Sequence, residues 1–287
     1  MISVECVVRA GNLLGEGPVW DARVGALWWV DIKRATLQQY SPDSSVREWP
    51  LPEAPGSAAL RRQGGLVLAL ASGVSSFDPE TGGLEALADP EPDRPGNRFN
   101  EGACDPRGRF WTGSMDDAER ARSGALYRID TDHSSHRILD GWGIPNTLAW
   151  TADERSMYFA DTLDRTIYRF GFEPEAGLLG EQEVFAVIDG AFPDGSAIDT
   201  DGCLWNAQWD GWRLIRYRPD GEIDRVVELP VQRPTSCAFG GKDWRTLYVT
   251  SARVGLSNSD LSHQPLAGGL FALEAGVDGV PETPFVG

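Results

Sequence analysis

Six polar residues stand at one phase of a repeat in this chain: Glu16, Ser57, Asn100, Asn146, Asp194 and Thr235. They sit at the heads of the strings GEGPVW, GSAAL, NEGACD, NTLAW, DGSAID and TSCAF. Each precedes an apolar-aromatic marker (Trp28, Val67, Trp111, Tyr158, Trp205 or Tyr248) by 10 to 13 residues. If the repeats close into a ring, equal phase means convergence in space, and Glu16, Asn100, Asn146 and Asp194 point at one spot near the axis. Two carboxylates and two amide oxygens without basic neighbours repel and desolvate one another. A divalent cation relieves that. Oxygen donors of this kind suit Ca²⁺, Mg²⁺ or Mn²⁺, and Zn²⁺ or Fe²⁺ less directly. Taken singly, Asn146 in IPNTLAW and Asp194 in FPDGSAID read as turn formers that bond their own backbone. Glu16 does not, because Glu is a poor turn residue. The set at one phase points to a site.

The elements that must position these residues are short strands. The markers lie in the runs ALWWVDI, GLVLAL, RFWTGS, SMYFADT, CLWNAQW and TLYVTSA, spaced by 39, 44, 47, 47 and 43 residues. A period of about 40–50 residues with four short strands each is that of propeller blades. A turn string precedes each marker: DARVG, RRQGG, DPRGR, TADER, DTDG and GGKDWR. The 33 glycines and 19 prolines supply such turns, and no long stretch has helical periodicity. The expected fold is all-β, a six-bladed β-propeller, with residues 1–287 as one domain. The early residues, up to about Arg9, are expected to complete the last blade, since closing the ring there removes an exposed sheet edge.

Composition excludes other classes. A formal net charge of −17 repels nucleic acid and anionic membrane. No segment approaches the ~20 consecutive apolar residues of a membrane span. The start, MISVECVVRAGNLLGEGP, lacks a basic n-region followed by an apolar one, so the expectation is a cytoplasmic protein. Cys6, Cys104, Cys203 and Cys237 are scattered with no CxxC pair and read as free buried thiols. The only histidines are His133, His136 and His263. That scarcity argues against a multi-histidine zinc site and a Ser-His-Asp triad, and no G-x-S-x-G elbow occurs. His133 and His136, in DTDHSSH, read as solvated turn residues.

The strings LGEGPVWD (Leu14 to Asp21), RFNEGACDPRGRFWTGSM (Arg98 to Met115), GIPNTLAW (Gly143 to Trp150), PDGSAIDTDGCLW (Pro193 to Trp205), CAFGGKDWRTLYVTSAR (Cys237 to Arg253) and QPLAGGLFAL (Gln264 to Leu273) together resemble the regucalcin/gluconolactonase family. This is also called the senescence marker protein and luciferin-regenerating group. The resemblance covers nearly the whole chain. It implies a six-bladed propeller holding one divalent metal, with Glu16, Asn146 and Asp194 as ligands, Arg98 and Asn100 contacting the sugar, and lactonase activity on aldonolactones. The chain departs from the pattern at Glu101, where the family commonly has Asp, and at Ala118, where regucalcin has a substrate-contacting Glu. Asp116 and Asp117 stand close by as candidate substitutes.

Lactone hydrolysis needs a polarised carbonyl, an activated water and a stabilised oxyanion. The reading assigns the first and last to the metal, the base to Asp194, and substrate placement to Arg98 and Asn100. The expected partner is a small-molecule sugar lactone, with no nucleic acid and no membrane, and the chain is taken as a monomer. The alternatives are hydrolysis of other esters or organophosphates at the same centre, or a non-enzymatic metal-binding regulatory propeller.

Overall fold

A computed structural model describes residues 2–42 and 46–287. Six four-stranded antiparallel sheets surround one axis. Their innermost strands are Gly15–Asp21, Pro55–Leu60, Asn97–Cys104, Pro145–Trp150, Phe192–Ile198 and Pro234–Gly240. Each touches the next, and the sixth returns to the first. We number the blades 1 to 6 in that order. This is the six-bladed β-propeller that the repeat predicts. Among the described residues the one α-helix is Asn258–His263, a single capped turn and a half in blade 6.

The markers occupy the second strand of each blade: Ala26–Asp31, Leu66–Leu70, Phe110–Asp116, Ser156–Asp161, Leu204–Trp209 and Thr246–Ser251. These strands are buried along almost their whole length because neighbouring blades cover both faces, and so they read as apolar-aromatic runs, broken by buried polar residues such as Thr112, Asn206 and Gln208 that are hydrogen-bonded inside. The outermost strands, such as Ser135–Trp142 and Ile223–Glu228, are largely exposed. The polar residues of the repeat lie inside the innermost strands, including Asn146 and Asp194, which taken singly read as turn formers.

Ring closure joins the two ends of the chain. Blade 6 takes its third strand from Leu270–Glu274 and its fourth from Val4–Val8, with Val4 opposite Leu273 and Cys6 opposite Phe271. The early residues thus complete the last blade, as expected. The chain beyond this blade then crosses the face opposite the strand starts. Val280 N donates to Ile198 O of blade 5, Phe285 N to Leu60 O of blade 2 and Val286 N to Gly108 O of blade 3. Phe285 is fully buried in the core between blades 2 and 3. The four cysteines are free; three are buried and Cys6 is half-buried. Among the described residues no helix is long and apolar enough to cross a membrane.

Candidate active site

All six innermost strands slip register at the same phase: between Glu16 and Val19, Pro55 and Ser57, Phe99 and Gly102, Asn146 and Ala149, Pro193 and Ser196, and Pro234 and Cys237. A bulge bends its strand and re-aims a side chain. Six at one phase turn the repeat's polar residues toward the axis. In blade 1 the residue after the site residue is Gly17 at φ 53°; in blade 4 it is Thr147 at φ 58°. A β-branched residue is strained there. Thr147 is held by its hydroxyl, which donates to Asp194 O of blade 5 at 2.5 Å. The Pro193-Asp194-Gly195 string reads as a turn in the sequence, yet it lies within the strand Phe192–Ile198. Its glycine serves close packing and not a turn: a side chain at Gly195 would collide with Ser236 of blade 6.

One device sets the approach to both Glu16 and Asn146. Asp31 ends the second strand of blade 1, and its carboxylate accepts from Leu13 N (2.9 Å) and Leu14 N (3.2 Å). Asp161 does the same in blade 4 for Gly143 N (2.8 Å) and Ile144 N (3.1 Å). Both aspartates are fully buried, and each also caps a 3₁₀ turn at its strand's end. The backbone two residues before each site residue is therefore pinned by a charge-assisted bond.

Glu16, Asn146, Asp194, Arg98 and Asn100 all line one cavity of about 370 Å³, within the ~300–1,000 Å³ usual for small-molecule sites. Glu16 and Asp194 are buried, and neither has an ion-pair partner among the described residues. Burial pushes the Glu16 carboxyl well above the carboxylate range, and the charge of Glu101 adds to it. Burial does the same to Asp194, followed by the charges of Glu16 and Glu101. Two buried carboxylates with no direct ion-pair partner among the described residues, the charge of Arg98 only partly offsetting Glu16, stand beside the amide oxygen of Asn146 and make a hard-oxygen donor set that fits a divalent cation. Among the described residues no group of three or more His, Cys, Asp or Glu side chains could hold a metal ion; the candidate set here is two carboxylates and one amide.

Arg98, although buried, has two of its three nitrogens engaged. Nε donates to Asp117 (2.9 Å), and Nη1 to Phe99 O (3.0 Å) and Asn100 Oδ1 (2.8 Å). Nη2 has no hydrogen bond among the described residues. Asn100 Nδ2 donates to Pro145 O (3.0 Å) and Asn146 Oδ1 (3.1 Å). Both of its N–H protons are thus used, and Asn100 can offer a ligand only an oxygen lone pair.

Of the candidate substitutes for the regucalcin Glu, neither is free. Asp116 accepts from Arg120 N and Ala121 N and shapes its own loop. Asp117 serves Arg98 and also pairs with Lys33 at 3.5 Å. The carboxylate that this loop sends to the cavity wall is Glu119. Sequence reasoning missed Glu119, Lys33, Thr162, Trp209 and Arg233, which all line the cavity. A signal existed for three of them. Lys33, Thr162 and Trp209 sit at or just beyond the ends of second strands, a second phase of the same repeat.

Glu101 faces the other way, into a cavity of about 170 Å³ on the far side of the channel, with Glu282 of the crossing tail. Burial pushes Glu101 up to about 7. Glu282 is exposed at the edge of this cavity, and desolvation by the chain around it with the charge of Glu101 raises its carboxyl to about 8. An unfolded Glu titrates near ~4.3, so the folded state holds this proton more tightly. The stability from that proton is complete at acid pH and is lost as pH rises through about 8. Glu282→Gln should therefore melt above the wild type at pH 9, with the gap shrinking toward pH 5. Thermal melts at the two pH values check this.

Comparison with known proteins agrees with the geometry. The model of the SMP-30/Gluconolactonase/LRE-like region matches residues 14–253. The 6-deoxy-6-sulfogluconolactonase of Pseudomonas putida is 39% identical over 99% of both chains. The L-arabinolactonase of Azospirillum brasilense is 40% identical over 96% of this chain and 93% of its own. The solved structure of a calcium-binding regucalcin from Agrobacterium tumefaciens superposes with a TM-score of 0.95 at 30% identity, covering 99% of this chain and 97% of that one. The chain belongs to the SMP-30/gluconolactonase/LRE-like family.

Proposed function

We propose that this protein is a metal-dependent sugar lactonase that opens an aldonolactone to the aldonic acid. The observation that carries the reading is the pair of buried carboxylates, Glu16 and Asp194, neither in a direct ion pair, in a cavity that also presents the open edge of Arg98. Relatives named for sulfogluconolactone and arabinolactone support the substrate class, and the calcium-binding neighbour supports a divalent cation. Glu16, Asn146 and Asp194 would hold the metal, which supplies Lewis acidity to a carbonyl when bound. Asp194 Oδ accepts the proton of the attacking water. Arg98 Nη2 donates to ring hydroxyls, and Glu119 accepts from them. Asn100 acts by holding Arg98 and Asn146 in register. The buried walls exclude bulk water from the reacting face.

A polyhydroxylated ring pairs these groups, whereas a bare lactone leaves them unpaired at about 1–3 kcal/mol each. The kcat/KM for a pentonic or hexonic acid lactone, such as xylono-, arabinono- or gluconolactone, should exceed that for γ-butyrolactone by at least about tenfold. Arg98→Ala should narrow the gap by harming the sugar lactone more. A pH-indicator assay with and without chelator reads both. Equal efficiency on the two lactones would favour a general esterase. No lactone turnover with any added divalent cation would favour a binding propeller.

A further inference from the structure

We propose that Thr162 is a positioning residue whose hydroxyl, acting with Asn100, holds the Asn146 amide with its oxygen toward the cavity. The proposal rests on the reading of Asn146 as a metal ligand. A chain of hydrogen bonds runs across three blades, and both of its ends have only one possible role. At one end the carbonyl of Pro193 can only accept. Thr162 Oγ1 donates to it at 2.8 Å, which commits the hydroxyl proton. Thr162 can then act toward Asn146 only as an acceptor, and it takes Asn146 Nδ2 at 2.8 Å. At the other end Arg98 can only donate, and Nη1 gives its proton to Asn100 Oδ1 at 2.8 Å. That turns Asn100 Nδ2 toward Asn146, whose Oδ1 accepts it at 3.1 Å.

An amide looks nearly alike in either orientation, and its partners decide which is real. Here both neighbours agree. Thr162 demands an NH₂ from Asn146, and Asn100 demands an oxygen. Asn146 Oδ1 therefore faces the cavity with one lone pair used by Asn100 and a second left for a cation. Remove the Thr162 hydroxyl and Nδ2 loses its acceptor. Asn100 alone still asks for the oxygen, but with Nδ2 unpaired the amide is no longer held at both ends, and rotation would carry the free lone pair off a cation. Thr162 is half-buried, comes from the turn capped by Asp161 and bonds the residue preceding Asp194. The same hydroxyl thus fixes the spacing between the strands that carry Asn146 and Asp194. Outer partners of this kind commonly change metal affinity by about 10–100-fold.

The test uses Mn²⁺ as the probe and full-length, chelator-treated protein. Free Mn²⁺ is followed by electron paramagnetic resonance to give Kd, independent of turnover. Thr162→Val removes the hydroxyl at nearly constant volume and should weaken Mn²⁺ binding at least about tenfold. Thr162→Ser keeps the hydroxyl and should restore most of the affinity. Thr162→Ala, which adds no methyl against Pro193, is measured beside them, and a Tm is taken for each. Val and Ala variants that bind Mn²⁺ as tightly as the wild type would overturn the role of Thr162 alone. So would a Ser variant as impaired as the Val variant, since packing would then be the cause. A wild-type protein that binds neither Mn²⁺ nor Ca²⁺ would overturn the metal reading itself.

Discussion

Asp194→Ala should lower turnover of a sugar lactone by a factor on the order of 10³, the scale of losing a positioned general base. The fold should survive the change. The backbone carbonyl of Asp194 is held by Thr147 Oγ1 (2.5 Å) and Asn206 Nδ2 (2.9 Å), and neither bond involves the carboxylate. Burial of the carboxylate, and then the charges of Glu16 and Glu101, push its proton affinity up. Removing such a charge relieves the metal-free protein. Chelated Asp194→Ala should therefore melt at or above the chelated wild type while being inactive. Activity and melts on the same preparation check both. Near-full turnover in this variant would rule out Asp194 as the base.

Phe285→Ala should be the most damaging single truncation on the opposite face. The ring is fully buried, packs edge-on to Phe110 at 6.5 Å and sits in the core shared by blades 2 and 3. Truncating a buried Phe costs about 3–5 kcal/mol. In a chain of this size that lowers Tm by on the order of 10 °C. The effect should extend beyond the lost packing, because Phe285 anchors the tail that ties blades 5 and 6 to blades 2 and 3. Thermal melts and amide exchange in blades 2, 3 and 5 would detect it. Exchange that stays unchanged in blade 5 would mean that the tail is a local patch and not a strap.

The repeat was legible because each blade is one supersecondary unit with the same burial pattern. A strand covered on both faces is rich in large apolar residues, so Trp28, Trp111, Tyr158, Trp205 and Tyr248 mark it in one dimension. Ring closure turns that period into an angle, and so equal phase along the sequence located Glu16, Asn100, Asn146 and Asp194 around one cavity. Arg98 came from the family resemblance alone. What lay outside the sequence's reach was which partner each polar group would find. Asn100 reads as a substrate donor until its two protons are seen to be spent on Pro145 O and Asn146. Asp117 reads as a substitute carboxylate until Arg98 and Lys33, from different blades, take it. Pro193-Asp194-Gly195 reads as a turn until the strand Phe192–Ile198 is seen to pair with Leu204–Trp209 and Gly195 to pack closely on Ser236. Local preference and burial are properties of a residue and its neighbours along the chain. A hydrogen-bond partner, a counter-charge and the orientation of an amide depend on residues tens to hundreds of positions away, and only the packed ring brings those together.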